Sequence, residues 1–95
     1  MIVQRLTFRA RRGRLNEAAE LARAERERTG GTHRIYLGYL GPRSDLAVEF
    51  EFEGLGEMEA FWSEWSATPE SAAFMEKWDE LLESYGTNEI WTVVE

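Results

Sequence analysis

At 95 residues, the chain has room for one hydrophobic core, and with no cysteine it can form neither disulfides nor a thiolate-based metal site. Hydrophobic residues at 43% and twelve aromatics, four of them Trp, exclude a disordered chain. No apolar run approaches the ~20 residues of a membrane span, and Arg5 and Arg9 interrupt any signal-like stretch, so a cytoplasmic location is expected.

The formal charge of −7 is unevenly spread. Residues 1–43 carry ten basic and four acidic side chains, net +6, whereas residues 44–95 carry one Lys and fourteen acidic side chains, net −13. The basic half, with Arg5, Arg9, Arg11, Arg12 and Arg14, could suggest nucleic-acid binding. An acidic total repels phosphate at long range, however, so the halves are expected to interleave and neutralise each other. No nucleic acid partner follows, and the chain is read as one domain over residues 1–95.

In chain order, residues 2–10 alternate as a half-buried strand does: Ile2, Gln4, Leu6 and Phe8 share one face, Val3, Arg5, Thr7 and Arg9 the other. Leu15, Ala18, Leu21 and Ala22 recur at helical spacing through Arg28, with Glu20–Arg23 and Arg23–Glu27 as outer ion pairs and Gly30–Gly31 as the stop. His33 to Leu40 reads as a second strand, and Gly41, Pro42, Arg43, Ser44 and Asp45 as a turn. Leu46, Val48, Phe50 and Phe52 then alternate with Ala47, Glu49, Glu51 and Glu53, the clearest strand signal in the chain. After Gly54 a short helix carries Leu55, Met58, Phe61, Trp62 and Trp65. Thr68–Pro69 predicts a fresh helix start, running through Phe74, Trp78, Leu81, Leu82 and Tyr85 to Gly86. Ile90 to Val94 reads as a short final strand.

The order βαββααβ predicts an α+β, ferredoxin-like plait: an antiparallel four-stranded sheet with helices on one face. Its central strands are the first and third. The face away from the helices then sets Arg5 and Arg9 against Glu49 and Glu51.

The chain resembles the dimeric α+β barrel superfamily, which includes antibiotic-biosynthesis-monooxygenase-like proteins, and within it the NIPSNAP-like proteins. The residues that carry the likeness are Gln4 to Phe8, Arg12–Gly13–Arg14–Leu15, the Glu-alternating strand, Phe61–Trp62–Ser63–Glu64–Trp65, Thr68–Pro69–Glu70 through Phe74, and Asn88–Glu89–Ile90–Trp91. The resemblance implies a homodimer closing a barrel across two open sheet faces. Some members of the superfamily are cofactor-free oxygenases and others degrade haem. In the haem-degrading branch, Gln4 and Trp65 stand at two of three motif positions, but the third falls near Met75 where an axial His is needed. No cofactor and no metal are therefore expected.

No catalytic motif identifies a reaction. The aromatic set Phe61, Trp62, Trp65, Phe74 and Trp78 suits either helix–sheet core or the wall of an apolar pocket. Gln4 is the one evident polar anchor. Tyr36 is a second candidate, since Tyr36 and Tyr39 point to opposite faces and only one can reach a pocket. His33 has no evident partner and is expected at the surface, and Glu49, Glu51 and Glu53 are expected to be salt-bridged or solvated. The functional expectation is a homodimer binding a small apolar or aromatic molecule between sheet and helices. The alternative is a cofactor-independent monooxygenase acting on an electron-rich aromatic substrate.

Overall fold

The alternation of Leu46, Val48, Phe50 and Phe52 becomes strand β3 (Asp45–Phe52), in which all four side chains are buried beneath helices. Burying every second residue of a strand places one face in the core and leaves the other free for charge. The computed structural model describes residues 1–39 and 44–95. β3 pairs antiparallel with β1 (Ile2–Ala10) on one side and with β2 (Arg34–Leu37) on the other. β4 (Leu82–Thr92) pairs antiparallel with the far edge of β1, so the sheet order is β2-β3-β1-β4. The fold is the α+β, ferredoxin-like plait read from the sequence, with β1 and β3 central. Leu40, the expected end of the second strand, and Gly41 to Arg43 of the turn expected over Gly41 to Asp45 lie outside the described residues.

Three helices form the second layer. Helix α1 (Leu15–Thr29) turns its small residues Ala18 and Ala22 inward. It ends where Gly30 takes a left-handed φ of 69° and the Gly31 N–H donates to the Arg26 carbonyl at 2.9 Å. On its outer face Arg23 pairs with Glu20 at 2.8 Å. Helix α2 (Leu55–Ser66) lays Met58, Phe61 and Trp62 on Val48, Phe50 and Phe52. Helix α3 (Pro69–Leu81) starts as the sequence predicts, with the Thr68 hydroxyl accepting the Ser71 N–H at 3.2 Å and Pro69 in the first turn. It buries Trp78 and Leu81 beside Ala10, Ala18, Ala22 and Leu46.

Two expectations change. The third helix stops at Leu81, and Leu82 opens an 11-residue strand, so β4 is far longer than Ile90 to Val94. Leu81, Leu82 and Tyr85 suit a helical stripe, but β1 has an unpaired edge that needs backbone partners, and residues 82–92 supply them. Gly86 is therefore no helix stop. It sits where the β1–β4 register shifts, and a Cβ there would collide with Thr7 Oγ1 and lie 3.0 Å from the Thr7 carbonyl oxygen. The glycine lets the two strands approach.

The second change concerns the open face. Arg5 lies opposite Glu49 and bonds it at 2.6 Å, as expected. Arg9 instead pairs with Asp45 at 2.9 Å, while Glu51 lies opposite Val3. Asp45, read as a turn residue, is the first residue of β3, and the strand register brings it to Arg9.

Candidate functional site

A cavity of about 250 Å³ lies between the sheet and the helix layer. Leu6, Phe8, Val48 and Phe50 form its sheet wall. Trp62 and Trp65 from α2, and Phe74, Met75 and Trp78 from α3, close the opposite side. Ala22, Glu25 and Thr29 of α1 complete it, and Phe61, His33 and Tyr85 line it as well. Because Ala18 and Ala22 lack bulk, α1 can lie close without filling the space.

The rings form a connected set. Phe50 meets Trp62 edge-on with centroids 5.1 Å apart, Trp62 meets Trp65 at 5.7 Å, and Trp65 meets Phe74 at 5.8 Å. Phe74 stacks on Trp78 at 5.3 Å, and Trp78 meets Phe8 edge-on at 5.1 Å. Such contacts lock ring orientations and favour a cavity of fixed shape. An apolar cavity of roughly 150 Å³ holds benzene, so this one accommodates one or two fused rings.

The polar groups at this site are few and held. Buried Gln4 accepts the Trp62 indole N–H at 2.7 Å and donates to Asn88 Oδ1 at 3.0 Å. The Trp65 indole N–H donates to Glu25 Oε2 at 2.7 Å. Arg28 grips the same carboxylate through Nε and Nη2 at 2.8 and 2.7 Å. The hydrogen bonds from Arg28 hold the Glu25 carboxyl below its usual range; burial opposes them and the Trp65 N–H reinforces them. Tyr85 donates its hydroxyl hydrogen to Asp79, and burial together with that bond pushes the phenol up to about 12. It stays protonated at neutral pH.

Five of the seven residues singled out from the sequence line this cavity: Phe61, Trp62, Trp65, Phe74 and Trp78. Gln4 shares their face but acts behind the wall, fixing Trp62. Tyr36 does not join them. It pairs with Ala47 on the open face, where its hydroxyl donates to Glu49 at 3.4 Å, and Tyr39 is 88% exposed. Neither tyrosine reaches the cavity, because the hairpin register turns Tyr36 away from the helices.

His33 moves the other way. Expected at the surface, it stacks on Phe50 with ring centroids 4.2 Å apart and lines the cavity. Burial and the positive charge of Arg26 hold its imidazole below the usual histidine value, so it is neutral at neutral pH. Glu25 was legible in principle: it continues the Ala18–Ala22 stripe by one turn, at a spacing that faces the core. Tyr85 was not, because its placement depends on the helix ending at Leu81. Among the described residues no group of three or more His, Asp or Glu side chains is arranged to hold a metal ion, and no helix is long and apolar enough to cross a membrane.

The architecture defines a ferredoxin-like plait with an aromatic cavity between its layers, a fold class shared with several solved structures. No protein-family profile matches the chain, and no curated protein sequence does. A NIPSNAP family protein from Agrobacterium tumefaciens is 21% identical, superposes with a TM-score of 0.85, and is matched over 99% of this chain and 86% of its own. An uncharacterised NIPSNAP domain protein from Burkholderia xenovorans is 17% identical with a TM-score of 0.84, over 99% of this chain and 95% of its own. A proposed antibiotic biosynthesis monooxygenase from Deinococcus radiodurans is 13% identical with a TM-score of 0.75, over 100% of this chain and 94% of its own. The chain thus has the fold of NIPSNAP and antibiotic-biosynthesis-monooxygenase-like proteins.

Proposed function

We propose that residues 1–95 act as one domain that binds a small apolar or aromatic molecule in the cavity between sheet and helices, and that the protein works as a homodimer. The observation that carries the ligand reading is the cavity of about 250 Å³ walled by ordered aromatic rings. Its polar neighbours, Gln4 and Glu25, are hydrogen-bonded to the indoles of the wall. Rings held in this way present a preformed apolar surface, and a ligand entering it gains contact without an ordering cost.

The dimer reading rests on the sheet. Helices cover one face only, and the other carries Val3, Tyr36 and Trp91 beside the paired charges of Arg5 with Glu49 and Arg9 with Asp45. Trp91 is 56% exposed there, a large apolar surface for a monomer to leave in water. Charges already paired within one copy can be covered by a second at lower desolvation cost than free ones.

Amide and indole ¹H–¹⁵N spectra recorded while adding naphthalene test the ligand reading. Shifts in the Trp62, Trp65 and Trp78 indole signals with Trp91 unaffected are expected; a spectrum unchanged up to the solubility limit of naphthalene would refute it. Sedimentation equilibrium returning the 11.0 kDa monomer mass at micromolar concentration would refute the dimer. The likeness to the Deinococcus protein motivates a second reading, a cofactor-independent monooxygenase acting on an electron-rich aromatic in the same cavity. Oxygen uptake with a panel of phenols and quinols tests it, and uptake no faster than in buffer alone counts against it.

A further inference from the structure

The polarity of the cavity is one-ended. Glu25, Thr29 and His33 all come from the last turns of α1 and the residue before β2, while the remaining wall is aromatic or aliphatic apart from the Tyr85 hydroxyl. Two of the three are committed elsewhere. Both Glu25 oxygens accept hydrogen bonds, from Arg28 and from the Trp65 indole. Thr29 directs its hydroxyl to the Glu25 and Arg26 carbonyls at 3.0 and 3.2 Å, closing its own helix turn. The Tyr85 hydroxyl is bonded to Asp79. The imidazole of His33 has no hydrogen-bond partner among the described residues, although its main-chain carbonyl accepts from Arg26 at 3.3 Å.

Its position is nevertheless well defined. One face stacks on Phe50. At Gly31 a Cβ would lie 2.8 Å from Nδ1 and 2.9 Å from Cε1, so the absence of a side chain at residue 31 is what admits the ring. A half-buried imidazole that is neutral, oriented by Phe50 and free of protein partners among the described residues keeps its nitrogens available to a ligand in the cavity.

We propose that His33 is the polar anchor of the cavity and that the ligand is a neutral planar aromatic of one or two fused rings bearing a hydroxyl at one end. This rests on the ligand reading above and adds the chemistry of recognition. Neutral imidazole offers one donor and one acceptor, and a hydroxyl complements either nitrogen tautomer. A second polar group or a charge pressed against the apolar walls would be penalised, since it finds no partner there.

The test compares 1-naphthol with naphthalene, followed through the Trp indole signals in the wild type, His33→Phe and Gly31→Ala. The wild type is expected to favour 1-naphthol by about three- to tenfold, the range a single net hydrogen bond supplies. His33→Phe keeps a ring against Phe50 but removes both nitrogens, and the preference should fall to near unity. Gly31→Ala leaves the histidine in the chain and displaces its ring, and should lower the preference in the same direction. It also keeps the proposal testable if His33→Phe does not fold. Equal affinities in the wild type, or a preference that survives both substitutions, would overturn the anchor while leaving the cavity reading intact. Binding of neither compound would overturn both.

Discussion

The Trp62 indole N–H and the Gln4 carboxamide oxygen are 2.7 Å apart, joining the middle of α2 to the central strand of the sheet. Gln4 passes the connection on to Asn88 of β4 at 3.0 Å. A polar side chain with only 4% of its surface exposed is tolerated here because its oxygen and its nitrogen each have a partner. Replacing Gln4 with Leu strands the Trp62 N–H. We expect a loss of about 1–3 kcal/mol in chemical denaturation, with a changed environment for the Trp62 indole signal. Full stability in that variant would mean that water or another group takes over the bond.

Gly86 is expected to be as demanding. Alanine there would press its Cβ against Thr7 Oγ1 and the Thr7 carbonyl, and Oγ1 is held in turn by the Thr87 N–H at 2.8 Å. Gly86→Ala should destabilise by about 1–3 kcal/mol, the usual range for overpacking. Thr7→Ala in the same chain removes the closest contact and should recover part of that loss. A double-mutant cycle reads the coupling, and strictly additive effects would contradict the geometry.

The pH dependence of stability should carry a histidine component. Burial and the Arg26 charge lower the folded-state pKa of His33 from its ordinary 6.5. The unfolded chain then binds more protons than the folded one between those two values. Stability from this source is complete above pH 6.5 and declines as the pH falls toward the lowered folded value. Thermal melts from about pH 7.5 down to about pH 5 should fall less steeply in His33→Phe than in the wild type. Glu25, whose pKa is lowered from 4.5, contributes stability that is lost only at more acidic pH, so the two components separate. Parallel curves for wild type and variant across the histidine window would sink this assignment.

The Arg5–Glu49 pair should matter less for stability than its 2.6 Å separation suggests. The arginine side chain is 47% exposed, so water screens the attraction, and Glu49→Gln should cost no more than about 1 kcal/mol in low salt and less in high salt. A larger, salt-independent loss would indicate that the pair is covered in solution, as a dimer through the open face would cover it. Sedimentation of the same variant separates the two causes.

Most of the plait was legible because strands and helices announce themselves by period. Leu46, Val48, Phe50 and Phe52 alternate with polar residues over a full strand, Gly30 and Gly31 stop α1, and Thr68–Pro69 start α3; each is a local matter settled by neighbours in the chain. The aromatic wall was legible for the same reason, as Phe61, Trp62 and Trp65 share a helix face. What depended on partners distant in sequence was not. Leu81, Leu82 and Tyr85 fit a helical period, and only the free edge of β1 draws residues 82–92 into a strand. The register of β2 on β3, invisible in either strand alone, sends Tyr36 to the open face. His33 reads as a lone polar residue until Phe50 and Gly31 are placed around it. The sequence by itself therefore determined the elements and their apolar faces, because those follow from periodicity and backbone preference. Only the tertiary structure decided which polar groups meet the cavity, because that depends on strand register and on contacts between residues far apart in the chain.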